Sequence, residues 1–210
     1  MTRPVERVVS ALGSLPSAAI PVDPERAETL AAFVALVASF NTKMDLTAAR
    51  TDDELVDLLL ADAVVLAGAI ASGARVVDVG SGAGAPGLPL ALARPDLEVT
   101  LVEPLDKRVM FLRTAIGKLG LSSRVRVERK RGEALVGRAT FDVAISRATL
   151  APALWLPLGR SLAPEGTTWA LLAKGEAPDC EGLEATLDFE YDWPLTGAHR
   201  RAVRYASTRG

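Results

Sequence analysis

The sequence predicts an α/β fold: a mostly parallel sheet with helices on both faces, preceded by a helical N-terminal extension. Three observations carry this. From residue 75 to about residue 173, short apolar runs alternate with stretches of helical spacing, which makes successive strands parallel and the helices their crossovers. The first of these runs enters a glycine-rich turn, VVDVGSGAG (Val76–Gly84), the place where such sheets meet their ligands. Upstream, apolar residues recur at helical rather than alternating spacing. The chain therefore divides into an extension over 1–72 and an α/β core over 73–210.

The elements follow in order. Asp23-Pro24-Glu25 starts a helix, with Asp as N-cap, Pro at the first helical position and an acid in the first turn. Leu30, Phe33, Val34, Val37 and Phe40 then mark its buried stripe. Thr51 with Glu54 forms a capping box for a helix reaching about Ile70, so the extension holds about three helices. Strands are expected at Arg75–Val79, Glu98–Val102, Arg124–Glu128, Phe141–Ile145 and Thr168–Ala173. Helices are expected at Gly87–Ala93, Asp106–Leu119 and Pro152–Leu162, the second stopped by Gly120 and the third by Pro164 and Gly166. Weaker strand candidates at Leu187–Tyr191 and Ala202–Ala206 can close the sheet as an antiparallel hairpin.

Composition removes several classes of function. The 210 residues carry a formal charge of −2, so no global basic field binds polyanions in bulk, though local basic patches remain open. One cysteine, Cys180, and one histidine, His199, leave no intramolecular disulfide and no metal site built on several Cys or His residues. Neither residue sits in a nucleophile motif. The N-terminus MTRPVERVVS has no long apolar run, and the apolar stretch from Thr29 to Phe40 is shorter than the roughly 20 residues that span a bilayer. A cytoplasmic protein without metal or membrane contact, and a monomer, is the expectation.

The glycine turn raises the question of its ligand. Gly80-x-Gly82-x-x-Ala85 fits a relaxed dinucleotide fingerprint, and Glu103 ends the second strand where an acid can bind ribose hydroxyls. This pattern by itself suits both NAD and S-adenosylmethionine. Asp78 tilts the choice. A carboxylate two residues before the first glycine repels a pyrophosphate but attracts the ammonium and sulfonium of S-adenosylmethionine; Asp also favours turns for local hydrogen bonding, so capping the turn is its other reading. Gly132-Glu133, after the third strand, lies where an adenine edge can be read. The expected cofactor residues are thus Asp78, Gly80, Gly82, Gly84, Glu103, Gly132 and Glu133, and the fold class narrows to a class I methyltransferase.

The acceptor leaves weaker marks. The cysteine that cytosine C5 methylation needs near the fourth strand is missing. The Asn/Asp-Pro-Pro-aromatic turn of exocyclic amine methylation is replaced by Ser146-Arg147-Ala148-Thr149. An acceptor that is already nucleophilic, such as a purine ring nitrogen, needs alignment rather than a base, and cations to anchor its phosphates. Arg147, after the fourth strand, is assigned to both acceptor and cofactor; Lys174 follows the fifth strand, Lys107 and Arg108 the second, Arg131 the third. Arg124, Arg126 and Arg129 read as solvated surface charge.

These residues resemble a known family. Asp45-Leu46-Thr47, then VVDVGSGAGAPGLPLALARPDLEVTLVEPLDKRVMFLR, then FDVAISRA and LLAKGE are similar to the RsmG (GidB) methyltransferases, with the similarity running from about Phe40 to Lys174. GxGxPGLP followed by KRVxFLR is not generic among methyltransferases. The resemblance implies a class I enzyme with a small helical N-terminal portion. It implies methyl transfer from S-adenosylmethionine to N7 of a guanosine in the 16S rRNA of the small ribosomal subunit. By position it implies that Gly80, Gly82 and Gly84 line the cofactor. Lys107, Arg131, Arg147 and Lys174 would surround the acceptor, and Arg200 matches a basic position in the C-terminal strand.

Three positions depart from the family pattern. Asp45 stands for the usual Asn, Leu58-Leu59 for Arg-His, and Ala85 for a larger apolar residue. The first two lower the attraction for phosphate. A paralogue methylating a small molecule or protein, and a protein that binds S-adenosylmethionine without catalysis, are the alternative readings.

Overall fold

A computed structural model describes residues 4–13, 15 and 22–208. Three helices come first: α1 (Pro4–Gly13), α2 (Pro24–Met44) and α3 (Asp52–Ala67). The α2 start is as expected, with Asp23 accepting from the Arg26 amide at 2.8 Å. Thr51 caps α3 through the Glu54 amide at 3.1 Å, and Glu54 reaches back to the Arg50 amide at 2.6 Å. The reciprocal partner is thus one residue earlier than in the usual capping box.

The core then alternates: β1 (Arg75–Val79), α4 (Gly87–Ala93), β2 (Glu98–Val102), α5 (Asp106–Lys118), β3 (Val125–Glu128), β4 (Val143–Arg147), α6 (Pro152–Leu162), β5 (Thr167–Leu172), β6 (Leu183–Asp192) and β7 (His199–Ser207), with a 3₁₀ turn at Gly132–Leu135. The sheet order is β3-β2-β1-β4-β5-β7-β6. The first five strands pair in parallel, while β7 runs antiparallel to both β5 and β6. The C-terminal hairpin therefore closes the sheet as expected, with its second strand against β5. Both strands extend beyond the short apolar runs visible in the sequence, because charged residues such as Arg201 and Arg204 ride on them through cross-strand partners, Asp188 and Thr186.

Side chains alternate across the sheet with the two-residue period of a strand. Val76, Val99, Leu101, Val143, Ile145, Trp169 and Ala202 face the helices α1 to α5 in one hydrophobic cluster. Val77, Val79, Val102, Ala144, Ala170 and Val203 face α6 in the other. Residues of the extension and of the core share the first cluster. Trp155 on α6 donates to the Trp169 carbonyl at 2.8 Å, which fixes that helix against β5. No helix among the described residues is long and apolar enough to cross a membrane.

Strand order reverses between β1 and β4, so the carboxyl ends of these strands flank the crevice where ligands of such sheets bind. The glycine turn after β1 opens onto this crevice.

Candidate cofactor and acceptor site

The glycine turn is closed by its own hydrogen bonds. The Gly80 and Ser81 amides donate to the Val102 carbonyl at 2.8 and 3.2 Å, and the Gly84 amide to the Ser81 carbonyl at 2.7 Å. The Gly82 amide donates to Glu103 Oε2 at 3.0 Å, while Glu103 Oε1 accepts from the Leu105 amide at 3.0 Å. Glu103 is only 2% exposed. A pyrophosphate would meet a fixed carboxylate and amides already spoken for, which argues against a dinucleotide on electrostatic grounds. Each Glu103 oxygen keeps lone pairs for a ribose hydroxyl.

A cavity of about 140 Å³ lies over the carboxyl ends of β1 and β2, on the α6 side of the sheet. Gly80, Arg131, Gly132 and Glu133 line it, together with Thr149 and Leu158. At Gly80 φ is +77°, and a Cβ there would overlap the Thr149 side chain. Thr149 is thrown across the turn because Ala148 adopts a left-handed φ of 54°; its hydroxyl donates to the Gly80 carbonyl at 3.3 Å. Gly84 lies away from the cavity: a Cβ on it would run into Leu88 and Leu112, so its role is close packing of the turn on α4 and α5. Gly82 serves through its amide to Glu103.

Asp78 points to the opposite face, beneath α4. Its Oδ2 accepts from the Gly87 amide at 3.0 Å, so the turn-capping role exists. Its Oδ1 is buried with no hydrogen-bond partner. Burial pushes its pKa up to about 6, opposed by the Gly87 N–H, by the positive charge of Arg147 and by the nearby Ser81 hydroxyl, and reinforced by Glu103. An unpartnered buried carboxylate oxygen needs a donor, and an ammonium is the donor that also supplies countercharge.

Among the basic residues, the structure separates one from three. Lys107, Arg131 and Lys174 are exposed on the rim above the strand ends. Arg147 instead turns inward. Its Nη1 donates to the Leu58 carbonyl at 2.5 Å and to Asp62 Oδ2 at 2.9 Å, and its Nη2 reaches the Ala85 carbonyl at 3.4 Å. The physical reason is Asp62 on α3: 2% exposed, it requires a cation nearby. Asp62 Oδ1 also accepts from the Tyr191 hydroxyl and the Trp193 indole, each at 2.8 Å. Arg200 stacks over Trp193 at 3.7 Å from the ring centroid. Arg124 also departs from the solvated reading; its Nη2 donates to the Ala91 carbonyl at 2.7 Å near the end of α4. Cys180 and His199 have separate partners, Glu181 and Asp192.

Sequence reasoning missed the Asp62, Tyr191 and Trp193 cluster, because no local spacing relates a helix near the N-terminus to a hairpin near the C-terminus. The three departures also find structural places. Asp45 is the left-handed C-cap of α2, with φ 48°, a conformation that Asn and Asp both tolerate. Leu59 is buried in α3, and Leu58 and Ala85 offer the carbonyls that receive Arg147.

The comparisons with known proteins decide the family. The model of GidB, described as rRNA small subunit methyltransferase G, matches residues 26–192. The chain belongs to the GidB family. Ribosomal RNA small subunit methyltransferase G from Anaeromyxobacter dehalogenans (strain 2CP-1) is 35% identical over 197 residues, covering 89% of this chain and 91% of that protein. The namesake from Kineococcus radiotolerans is 38% identical, covering 89% of this chain and 77% of its own length. Among solved structures, cofactor-bound Rv0187 from MTB superposes with a TM-score of 0.62 at 19% identity, over 90% of this chain and 93% of that one. TrmN from Thermus thermophilus gives 0.55 at 19% identity, over 80% and 53%. As a GidB member with the class I fold, the protein is a methyltransferase that uses S-adenosyl-L-methionine. The site fits that cofactor: the unpartnered Asp78 oxygen suits its ammonium, and the cavity walled by Val79, Val102, Leu150 and Leu158 offers apolar surface to a flat ring.

Proposed function

We propose that this GidB protein methylates N7 of a guanosine in 16S rRNA, within or derived from the small ribosomal subunit. The observation that supports the reading most is the arrangement of the strand-end rim: an acidic, closed cofactor turn flanked by exposed cations, Lys107 and Lys174 outside the cavity and Arg131 in its lining. S-adenosyl-L-methionine, when bound, supplies an electrophilic methyl carbon. Asp78 holds the cationic amino-acid end, Glu103 the ribose hydroxyls, and the cavity at Gly132-Glu133 the adenine. Guanine N7 carries a free lone pair, so the chain needs no general base; it needs to align nitrogen, carbon and sulfur and to exclude water.

Arg131 follows β3 and Lys174 follows β5, four strand spacings apart in the sheet order, which amounts to about 19 Å. That spread suits contacts along an RNA strand rather than a grip on one base, with Lys107 between them beside β2. The protein acts as a monomer in the cytoplasm, where small subunits are available.

The test is methyl transfer from labelled S-adenosylmethionine to small subunits lacking the guanosine N7 mark, measured as salt is raised. Transfer should fall steeply with salt, and Lys174→Ala or Arg131→Ala should each reduce the logarithmic salt slope by about one. Activity indifferent to salt would sink the phosphate-anchor reading.

A further inference from the structure

The inward turn of Arg147 calls for a role that solvent-facing cations do not have. Its side chain is 18% exposed and its three acceptors belong to two separate segments: Leu58 and Asp62 on α3, and Ala85 in the turn before α4. Ala85 lies two residues before Gly87, whose amide binds Asp78. Arg147 and Asp78 thus grip the same short segment from two sides, one by its carbonyl and one by its N–H. They also sit on adjacent strands, with Val79 opposite Ser146 in the register of β1 and β4.

We propose that Arg147 is a positioning residue for the cofactor: anchored by Asp62, it fixes the Ala85–Gly87 segment and balances the Asp78 carboxylate, so that Asp78 stays ionised to receive a cationic amino-acid end. This deepens the reading of the site as an S-adenosylmethionine site and rests on it. The charged groups facing Asp78 are Arg147 from β4, which favours its ionised form, and Glu103 just after β2, which opposes it; α4 contributes the Gly87 N–H and the glycine turn the Ser81 hydroxyl, both favouring the charge. Asp62 is linked to Asp78 through Arg147, which it holds at 2.9 Å. Tyr191 and Trp193 complete the Asp62 shell, so the hairpin end and α3 together hold the guanidinium still.

The sign is fixed by linkage. A cationic ligand binds the ionised carboxylate, so affinity rises with pH through the Asp78 pKa, about 6 in the free protein. Removing the Arg147 charge raises that pKa and moves the rise in affinity to higher pH. The experiment is titration of the full chain with S-adenosylmethionine by calorimetry between about pH 5 and pH 7.5; the ligand's own α-amino group begins to lose its proton near the top of this range, equally for wild type and variant, so the ratio of their affinities is compared at each pH. Arg147→Gln keeps a donor for Asp62 and removes the charge. An upward shift of about one pH unit is expected, on the order of fivefold weaker binding at pH 6 and near-equal binding at pH 7.5. Arg147→Lys, which keeps the charge, should retain the wild-type midpoint; Arg147→Met, a second neutral variant with the same expected upward shift, carries the test if the Gln variant does not fold.

Three results would overturn the proposal. Uniform loss of affinity at every pH in Arg147→Gln, with the midpoint unchanged, means that Arg147 touches the cofactor directly. Unchanged binding at every pH, with a higher KM for small subunits alone, makes it the RNA anchor expected from the sequence. A wild-type chain that binds no S-adenosylmethionine at any pH overturns the cofactor reading itself and this inference with it, whereas a failure to methylate rRNA leaves the binding test intact.

Discussion

Burial is the largest influence on the Asp78 carboxyl, and it works against the charge that the site needs. With a folded pKa near 6 against an ordinary 3.8, the group favours folding while protonated; that contribution is complete below pH 3.8 and is lost as pH rises through 6. The span of roughly two pH units corresponds to at most about 3 kcal/mol against the ligand-free fold at neutral pH. Asp78→Asn should therefore stabilise the free protein in urea unfolding at pH 7, with the gain shrinking toward pH 4. The same variant should bind S-adenosylmethionine on the order of 10- to 100-fold more weakly, the loss of a charged hydrogen-bond partner, and with little pH dependence. Unaltered affinity would remove Asp78 from the cofactor site. The capping use of this residue was legible in the sequence, since Asp favours turns for its local hydrogen bonding, and the Gly87 amide provides that bond. Its unpartnered oxygen was not, because that depends on which groups from other strands come near.

Elements show the same contrast between local and distant information. Caps and strand cores are local, so the starts of α2 and α3 and the five parallel strands were readable from turn residues and apolar runs. Thr51→Ala should cost about 1 kcal/mol in urea unfolding by freeing the Glu54 amide; no loss would mean that Glu54 alone secures that helix end. The attachment of α3 to the hairpin was not readable, because its partners lie more than a hundred residues apart. Asp57, 1% exposed, accepts from the Leu195 and Thr196 amides and the Thr196 hydroxyl. Burial raises its pKa while these hydrogen bonds lower it, which marks a carboxylate retained for its partners. Asp57→Ala leaves two loop amides without their acceptor and should cost about 1–3 kcal/mol per amide kept from water, with hydrogen exchange accelerated at Leu195 and Thr196. Protected exchange at both amides would show that the loop is held by other means.

At the scale of the whole molecule, two faces of one sheet divide the work. The α6 face carries the cavity beside Gly80 and Gly132, while the face under α1 to α5 carries Asp78, Arg147 and Asp62, and the cations stand along the rim between. The formal charge of −2 conceals this arrangement, since composition counts charges without their positions. The fold, the family and the glycine turn after β1 were visible because they rest on periodicity and on one contiguous motif. The inward use of Arg147 was hidden because an arginine after a central strand has the same sequence signature whether it faces RNA or a buried carboxylate. The most direct measurement is to incubate the purified chain with labelled S-adenosylmethionine and small ribosomal subunits lacking the guanosine N7 mark, digest the RNA, and map the labelled nucleotide. Label on N7 of one guanosine of the 16S rRNA is the expected result; label on another atom or another molecule, or none while the cofactor still binds, would contradict the assignment of this rim to rRNA guanine.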